Sequence, residues 1–167
     1  MNIKAIVIIM VLALFSCKER RTNTIEKTNK NTVTENMESK NHSIVQKAVE
    51  DWISGKGSFF DLLDEDMIWR VTGNAPYSGI YKGKKEFMDK AVIPINEFLS
   101  TALEPELIDI NASEDIVWFQ WKGRAKAVDG NDYINEYAWK LKLNDDGKIV
   151  NVDAFLDTYA LAKLVEL

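Results

Sequence analysis

The last third of the chain alternates apolar and polar residues in two successive segments, which predicts a β-hairpin followed by a helix. One face of the first segment carries Tyr133, Asn135, Tyr137, Trp139, Leu141 and Leu143. The opposite face is mostly charged, and this period of two residues is typical of a half-buried strand. The following Asp145-Asp146-Gly147 predicts a tight turn in which Gly147 adopts a positive φ. Residues 148–156 then predict a second strand, after which Asp157 and Thr158 open a helix.

The residues before this hairpin predict helices first and strands later. Ser43 and Gln46 fit a capping box at the start of a first helix, which Gly55 would end. The remaining predicted elements are a short helix at 58–63, a strand at 67–72, a turn-rich connection at 73–83, a helix at 84–99 that Pro94 kinks or splits, and strands at 106–112 and 116–127. Short connections between strands favour antiparallel pairing, so this order predicts an α+β domain with its helices on one face of the sheet.

The amino terminus predicts a secretory signal. Lys4 provides a positive charge, Ala5 to Phe15 is an apolar run of 11 residues, and Ser16 precedes the only cysteine, Cys17. This run is too short for a permanent membrane helix, and its flanks are those of a cleaved signal peptide. The segment resembles the lipobox of bacterial lipoproteins, which implies cleavage after residue 16 and lipidation of Cys17. An ordinary signal peptide with an incidental cysteine is the alternative.

Residues 17–40 are expected to form the lipidated cysteine and a flexible polar tether, followed by one domain at 41–167. The tether is rich in Thr, Asn, Lys and Glu and has little apolar surface to bury. As a coil, its 23 residues after Cys17 would span about 25–30 Å. The domain carries 14 basic and 22 acidic residues, which argues against nucleic acid as a partner. The expected location is the bacterial cell envelope, at the outer membrane or the periplasmic face, with the lipid as the membrane contact.

Five short motifs in order carry a family resemblance. They are Trp69-Arg70-Val71-Thr72-Gly73, Gly79-Ile80-Tyr81-Lys82-Gly83, Asn135-Glu136-Tyr137-Ala138-Trp139, Asp146-Gly147-Lys148-Ile149 and Phe155-Leu156-Asp157-Thr158. With these motifs the chain resembles the SnoaL-like and ketosteroid isomerase-like branch of the nuclear transport factor 2-like superfamily. The resemblance implies a strongly curved antiparallel or mixed sheet wrapped around N-terminal helices. This cystatin-like α+β roll would enclose a conical, largely apolar cavity.

The same resemblance argues against two activities found among these proteins. Where ketosteroid isomerases have a Tyr, a carboxylate base and an oxyanion Asp, this chain has Ala48, Arg70 and Trp139. An Arg stays protonated and cannot act as the base. Limonene epoxide hydrolases use an Arg flanked by two Asp, whereas the strand here offers Arg124 without an adjacent Asp, and Ala154 occupies the matching place on the last strand.

Three residues are candidates for catalysis, and each has a structural alternative. Arg70 could hold a carboxylate or an enolate-like oxygen, or it could pair with Asp153 or Asp157 on the outer face. Tyr137 could orient a ligand, or it could be a core residue whose hydroxyl is satisfied internally. Asp157 could be a general base at the cavity mouth, or it could be the N-cap of the last helix.

The resemblance implies a wider set of cavity residues around these candidates. The expected set is Trp52, Arg70, Tyr81, Phe87, Asn135, Tyr137, Trp139 and Ala154. It also implies that Val152, Ala154 and Leu156 of the last strand face inward, which would turn Asp157 outward. The polar face of the strand at 116–127 fits the sheet surface that family members use for dimerisation, so a homodimer is expected. No metal site is predicted, because Asp64-Glu65-Asp66 lacks a second ligand cluster, and no cofactor is implied.

Three functional hypotheses remain open at this point. The first is a lipid-anchored extracytoplasmic domain that binds a small, mostly apolar molecule in its cavity. The second is a cyclase or isomerase that uses Arg70 with Asn135, Tyr137 or Asp157, so whether the chain is an enzyme stays undecided. The third is an accessory protein with a closed cavity that binds a partner through its sheet. A cavity well below about 300 Å³ would favour the third, because ligand pockets usually start near that size.

Overall fold

The computed structural model describes residues 32–166, so the predicted signal peptide, Cys17 and the first part of the predicted tether lie outside the described residues. The first helix, α1, spans residues 32–53, and a short 3₁₀ helix follows at Phe59–Leu62. The strands are β1 (Leu63–Val71), β2 (Gly79–Lys82), β3 (Glu104–Ser113), β4 (Ile116–Lys126), β5 (Asp132–Leu143) and β6 (Ile149–Leu156). A helical segment between β2 and β3 consists of α2 (Lys84–Phe87), a π-helical turn (Met88–Val92) and α3 (Ile93–Asn96), and α4 (Thr158–Val165) ends the chain.

Within residues 32–166, the six strands form one mixed sheet in the order β2-β1-β6-β5-β4-β3. Neighbouring strands pair antiparallel except β1 and β6, which pair parallel. The register shifts within three of these pairs, between Leu63 and Ile68, between Leu107 and Asp109 and between Lys142 and Leu143. Such irregularities bend strands and increase their twist, which lets a sheet curve around the helices. The predicted α+β fold with a mixed sheet is thereby confirmed.

The core lies between the concave face of the sheet and the helices, and it is mainly aromatic. Phe59 contacts Phe119 and Trp139, with ring centroids 5.2 and 5.4 Å apart. Trp69 stacks on Phe87 of α2 at 4.1 Å. Aromatic pairs of this kind contribute about 0.5–1.5 kcal/mol each beyond the area that they bury.

The start of α1 differs from the prediction. Residues 32–42 are already helical, so Ser43 is not an N-cap, and its hydroxyl donates to the carbonyl of Ser39 at 2.8 Å. The predicted tether is therefore helical from residue 32 to residue 40. Glu38 and Asn41 of this helix contact a residue far along the chain. Asn41 Nδ2 donates to the carbonyl of Glu114 at 3.0 Å, and the Glu38 carboxylate accepts the N–H of Glu114 at 3.0 Å.

The hairpin at the end of the chain matches the prediction closely. β5, the turn and β6 occupy the predicted positions, and Gly147 has φ +77°. The break in the helix before Pro94 is also confirmed, because proline has no N–H to donate to the carbonyl four residues earlier. The connection at 73–83 is turn-rich as predicted, but it also contains a strand that was not expected. Residues 79–82 form β2, which pairs antiparallel with β1.

Candidate functional site

A cavity of about 580 Å³ lies between the concave face of the sheet and the helices. This volume is within the usual range of small-molecule sites, about 300–1,000 Å³. Its lining is largely aromatic and aliphatic, with a few polar side chains. The lining residues are Trp52, Phe60, Trp69, Val71, Tyr77, Phe87, Ala91, Val92, Ile95, Asn96, Leu99, Ser100, Thr101, Ala102, Leu103, Trp121, Tyr137, Trp139, Ala154, Leu156 and Leu161.

The segment from Asn96 to Leu103 forms the rim of the cavity, because it contains the exposed lining residues. This rim is tied to the end of β4. Ser100 donates from its N–H to the carbonyl of Lys126 at 2.7 Å and from its hydroxyl to that of Ala127 at 3.0 Å. The N–H of Lys126 in turn donates to the Thr101 hydroxyl at 2.9 Å. The hydroxyls of the rim are therefore engaged in holding its shape.

Stacked aromatic rings form the wall that β4 and β5 contribute. The rings of Trp121 and Tyr137 lie 4.0 Å apart and are almost parallel, at 8°. Trp52 of α1 meets Trp121 edge-on at 4.9 Å, and Trp139 meets it edge-on at 5.0 Å. The register pairs Trp121 directly with Tyr137 across the two strands. Alternation along each strand places these rings on the concave face, where they present both an apolar surface and polar edges.

A hydrogen-bond network extends from Tyr137 to the start of α4. The hydroxyls of Tyr137 and Tyr133 are 3.1 Å apart, and Asn135 Nδ2 donates to the Tyr133 oxygen at 3.0 Å. Asn135 Nδ2 also donates to the carbonyl of Asp157, while Asn135 Oδ1 accepts the N–H of Asp157, both at 3.0 Å. Asn135 is only 2% exposed. A buried amide with its donors and acceptor satisfied fixes β5 against the β6–α4 junction.

Both phenols of this network are held in the neutral form. Burial raises the pKa of Tyr137 well above its ordinary value of 10, and the neighbouring Tyr133 raises it further. Burial also raises the pKa of Tyr133, although hydrogen bonds from Tyr137 and Asn135 oppose this effect. A phenol with so high a pKa is a poor base at neutral pH.

Trp121 lines the cavity although it was not in the expected set of cavity residues. Among the described residues, its Nε1 is a buried donor without a hydrogen-bond partner. The side chain is 2% exposed. Alternation in β4 indicates the facing of Trp121, but no sequence signal shows whether its N–H is satisfied. The rim at 96–103 and Leu161 of α4 were also missed, because their positions depend on tertiary packing.

Arg70 does not line the cavity, which corrects its place in the expected set. It lies on the outer face of β1, half-exposed, and its Nε donates to Asp153 Oδ1 at 2.8 Å. This bond and the charge of Asp153 raise the pKa of Arg70. The reason is the period of two in β1, since Trp69 and Val71 face inward. The alternative interpretation of Arg70, an outer-face ion pair with Asp153, is confirmed.

The other expected residues divide between the cavity lining and the structure behind it. Trp52, Phe87, Tyr137, Trp139 and Ala154 line the cavity. Besides Arg70, two residues of the expected set do not line it. Tyr81 is buried, with its hydroxyl donating to the carbonyl of Tyr77 at 2.7 Å, and Asn135 lies in the network behind Tyr137.

Asp157 is the N-cap of α4. Its carboxylate accepts the N–H groups of Tyr159 and Ala160 at 3.0 and 3.1 Å, and it does not line the cavity. The capping interpretation is therefore confirmed, and a base at the mouth is not supported. Val152 is buried, and Ala154 and Leu156 line the cavity, so the last strand faces as expected.

Charged groups are absent from the lining described here. None of the described lining residues is an Asp, Glu, Lys, Arg or His. Within residues 32–166, no three His, Cys, Asp or Glu side chains converge as a metal site requires. No helix in the same range is both long and apolar enough to cross a membrane. The chemistry that the described walls offer is thus apolar contact and neutral hydrogen bonding.

Solved structures with the same fold were found by structural comparison. An NTF2-like protein from Burkholderia thailandensis superposes with a TM-score of 0.63 at 16% identity, over 75% of this chain and 96% of that chain. A putative SnoaL-like polyketide cyclase from Jannaschia sp. gives 0.61 at 13% identity, over 77% and 93%. TerC, co-crystallized with polyporic acid, gives 0.60 at 15% identity, over 76% and 98%.

Sequence comparison adds no closer relative, since no protein-family model and no curated protein sequence matches the chain. At 13–16% identity, these structural matches concern the fold and leave the activity open. They cover the compared structures almost completely, so the whole architecture is shared. The chain therefore has the fold of the NTF2-like proteins.

Proposed function

We propose that this protein binds a small, mostly apolar molecule in the cavity between its sheet and its helices. The observation that carries the proposal is a cavity of about 580 Å³ with stacked aromatic walls and uncharged polar groups. Rigid rings lose little conformational entropy when they pack against a ligand, and a preformed cavity avoids the cost of opening a core. The co-crystallization of TerC with polyporic acid supports the idea that this fold can be used for binding.

A cyclase or isomerase is the competing proposal, and the likeness to a putative SnoaL-like polyketide cyclase favours considering it. The residues that it would need are poorly arranged for it. Arg70 lies outside the cavity, Asp157 caps α4, and Asn135 is bonded within the wall. Tyr137 alone remains at the cavity, and its raised pKa makes it a poor proton acceptor. Binding without proton transfer is the function that this geometry supports best.

An accessory protein with a closed interior has less support. A volume of about 580 Å³ is well above the limit of about 300 Å³ below which a packed interior would have been favoured. The exposed rim at 96–103 gives this space access to solvent.

A pair of matched substitutions tests the proposed binding. Ala154 faces the cavity on β6, whereas Ala138 lies on β5 opposite Phe155 of the outer face. We expect Ala154→Leu to weaken binding of the fluorescent apolar probe 1-aminoanthracene at least about tenfold, because the added carbons fill ligand space. Ala138→Leu should leave the affinity unchanged. Equal binding to both variants, or no binding to the wild type, would contradict the proposal. Mass spectrometry of an organic extract of the purified protein would identify a retained natural ligand.

We further propose that the domain is anchored outside the cytoplasm by a lipid on Cys17. The support is the sequence pattern of residues 1–17, which lie outside the described residues. The wild type expressed in a bacterium should partition into the detergent phase and incorporate labelled fatty acid, whereas Cys17→Ser should do neither. Incorporation of label into Cys17→Ser would show that the anchor is elsewhere.

A homodimer through the outer face of the sheet is also proposed. Trp118 and Phe155 are 43% and 41% exposed there, and their rings stack with centroids 6.0 Å apart. Exposed aromatic pairs are frequent at interfaces. Nearby charged side chains of β4 form ion pairs within the chain, for example Lys122 with Glu136 at 3.0 Å. We therefore expect the apolar pair Trp118 and Phe155 to provide the main attraction between two copies. Light scattering should give a dimer mass that Trp118→Lys converts to a monomer mass. Ile53→Lys, at an exposed position on α1, is the control.

A further inference from the structure

Gly123 lies in the middle of β4, on the face of the sheet that borders the cavity. It is buried, and the alternation of β4 places it on the same face as Trp121, two residues earlier. Its φ is not positive, unlike that of Gly130 or Gly147, so the backbone here would accept a side chain. Glycine weakens the interior of a strand, and a close approach by neighbouring atoms is a common reason for its presence there.

Two side chains of the cavity lining occupy the space above Gly123. A Cβ atom at this position would lie 3.0 Å from Leu103 Cδ1, 3.3 Å from Leu103 Cγ and 3.1 Å from Trp121 Cζ3. Carbon atoms in favourable contact are about 3.5–4.0 Å apart. Leu103 ends the rim, Trp121 belongs to the aromatic wall, and both line the cavity. The missing side chain of Gly123 therefore lets the rim and the wall meet on the sheet.

Leu103 is held by its neighbours on both sides along the chain. Thr101, two residues earlier, accepts the N–H of Lys126 with its hydroxyl at 2.9 Å. Glu104, the next residue, begins β3 and is paired with Arg124 of β4. The backbone around Leu103 therefore follows β4 closely, and its side chain gives way most easily by moving away from the sheet.

Trp121 is held by neighbouring rings. It stacks on Tyr137 at 4.0 Å and meets Trp52 edge-on at 4.9 Å, so a sideways shift of the indole would disturb these contacts. The cavity, in contrast, borders both Leu103 and Trp121 and offers space. An atom added at position 123 would therefore displace these side chains into the cavity and narrow it where the rim meets the wall.

We infer that Gly123 is a positioning residue of the ligand site, because its missing side chain sets the width of the cavity beside the aromatic wall. This width determines how large a ligand can lie between the wall and the rim. Gly123 is not a lining residue, so it acts through the side chains that it allows to approach, above all Leu103. The inference rests on the proposed function, because it assumes that a ligand enters the cavity.

Two fluorescent probes of different length test this inference with the purified full chain. 1-Aminoanthracene has three fused rings, whereas 1-aminonaphthalene carries the same amino group on two. We expect Gly123→Ala to lower the affinity for 1-aminoanthracene at least about fivefold, since an added carbon overpacks this junction. The affinity for 1-aminonaphthalene should change by less than about twofold, because the shorter molecule needs less of the space beside Leu103.

A second substitution separates an effect through Leu103 from a general loss of structure. Leu103 supplies two of the three close contacts, so adding Leu103→Ala to Gly123→Ala should relieve the crowding. The double variant should then bind 1-aminoanthracene within about twofold of Leu103→Ala alone. Gly57→Ala is the matched control, because Gly57 also lacks a positive φ and its added Cβ would lie 3.9 Å from Asp51 Cβ. Both of its affinities should equal those of the wild type.

The possible outcomes separate this inference from the proposed function. The inference is wrong if Gly123→Ala binds both probes like the wild type, if it binds both more weakly by the same factor, or if the double variant binds more weakly than Leu103→Ala. In these cases the cavity remains a binding site. Should Gly123→Ala bind neither probe, equal affinities of the double variant and Leu103→Ala support the inference, and a weaker double variant contradicts it. If the wild type binds neither probe, the proposed function fails and this inference fails with it.

Discussion

Replacing Asn135 by an apolar residue should lower the free energy of unfolding, because it removes several hydrogen bonds at once. Asn135→Leu keeps the approximate volume but removes the donors to Tyr133 and to the carbonyl of Asp157, and the acceptor of the Asp157 N–H. The Asp157 backbone groups then lose their partners at a partly buried junction. Each such loss costs about 1–3 kcal/mol, and water can reach Asp157 and restore part of it. The expected total is about 3 kcal/mol.

Urea unfolding followed by tryptophan fluorescence measures this loss. For a slope of about 2 kcal/mol per molar urea, the midpoint should fall by about 1.5 M. Asn111→Leu is the control, since Asn111 is an exposed asparagine on β3. Its midpoint should change little. A fall below about 0.3 M for Asn135→Leu would refute the claim that this amide ties β5 to α4.

Asn135→Asp separates hydrogen bonding from shape. The carboxylate can accept the N–H of Asp157 but cannot donate to Tyr133 or to the Asp157 carbonyl. Burial should raise the folded-state pKa of this Asp above its unfolded value of about 3.9. Stability is then fully present below about pH 4 and is lost as the pH rises through the folded pKa. We expect a larger deficit against the wild type at pH 7 than at pH 4, and a deficit independent of pH would contradict this reasoning.

Three further outcomes are expected. Because burial raises the pKa of Tyr137, the free energy of unfolding should stay constant below about pH 10 and fall as the pH rises beyond it. In Tyr137→Phe this fall should be less steep. Equal dependence on alkaline pH in the two proteins would be inconsistent with this reasoning. Gly147→Ala should lower the free energy of unfolding, measured in urea, by about 1 kcal/mol more than Gly130→Ala does. Both glycines have a positive φ, but only at Gly147 would an added Cβ lie 2.7 Å from Ile44 Cδ1. Equal losses in the two variants would show that Ile44 moves freely. Arg70→Ala should leave the affinity for 1-aminoanthracene unchanged within about twofold, since Arg70 lies on the outer face, and a larger loss would place it at the ligand.

The hairpin could be predicted from the sequence because its information is local. Alternation from Tyr133 to Leu143 gives the period, and Gly147 gives the turn. The orientation of all side chains in this strand follows once its aromatic face is placed in the core, because successive side chains point to opposite faces. The same reasoning applied strictly to β1 would have placed Arg70 on the outer face, opposite Trp69. Its inclusion in the expected cavity set came from the family resemblance and not from the alternation.

Other parts of the fold depend on contacts between residues far apart in the sequence, which no local sequence pattern encodes. Residues 79–82 are too short a segment to show alternation, and they become β2 only through pairing with β1. Glu38 and Asn41 of α1 bond to Glu114, which lies more than 70 residues away along the chain. The unsatisfied N–H of Trp121 depends on its whole surroundings. These features require the tertiary structure.

The most direct test of the proposed binding is a crystal structure of the protein with 1-aminoanthracene bound. We expect the tricyclic ring in the cavity of about 580 Å³, against the aromatic wall of Trp121 and Tyr137. A probe found only on the outer face beside Trp118 and Phe155, with the cavity filled by protein side chains, would contradict the proposal.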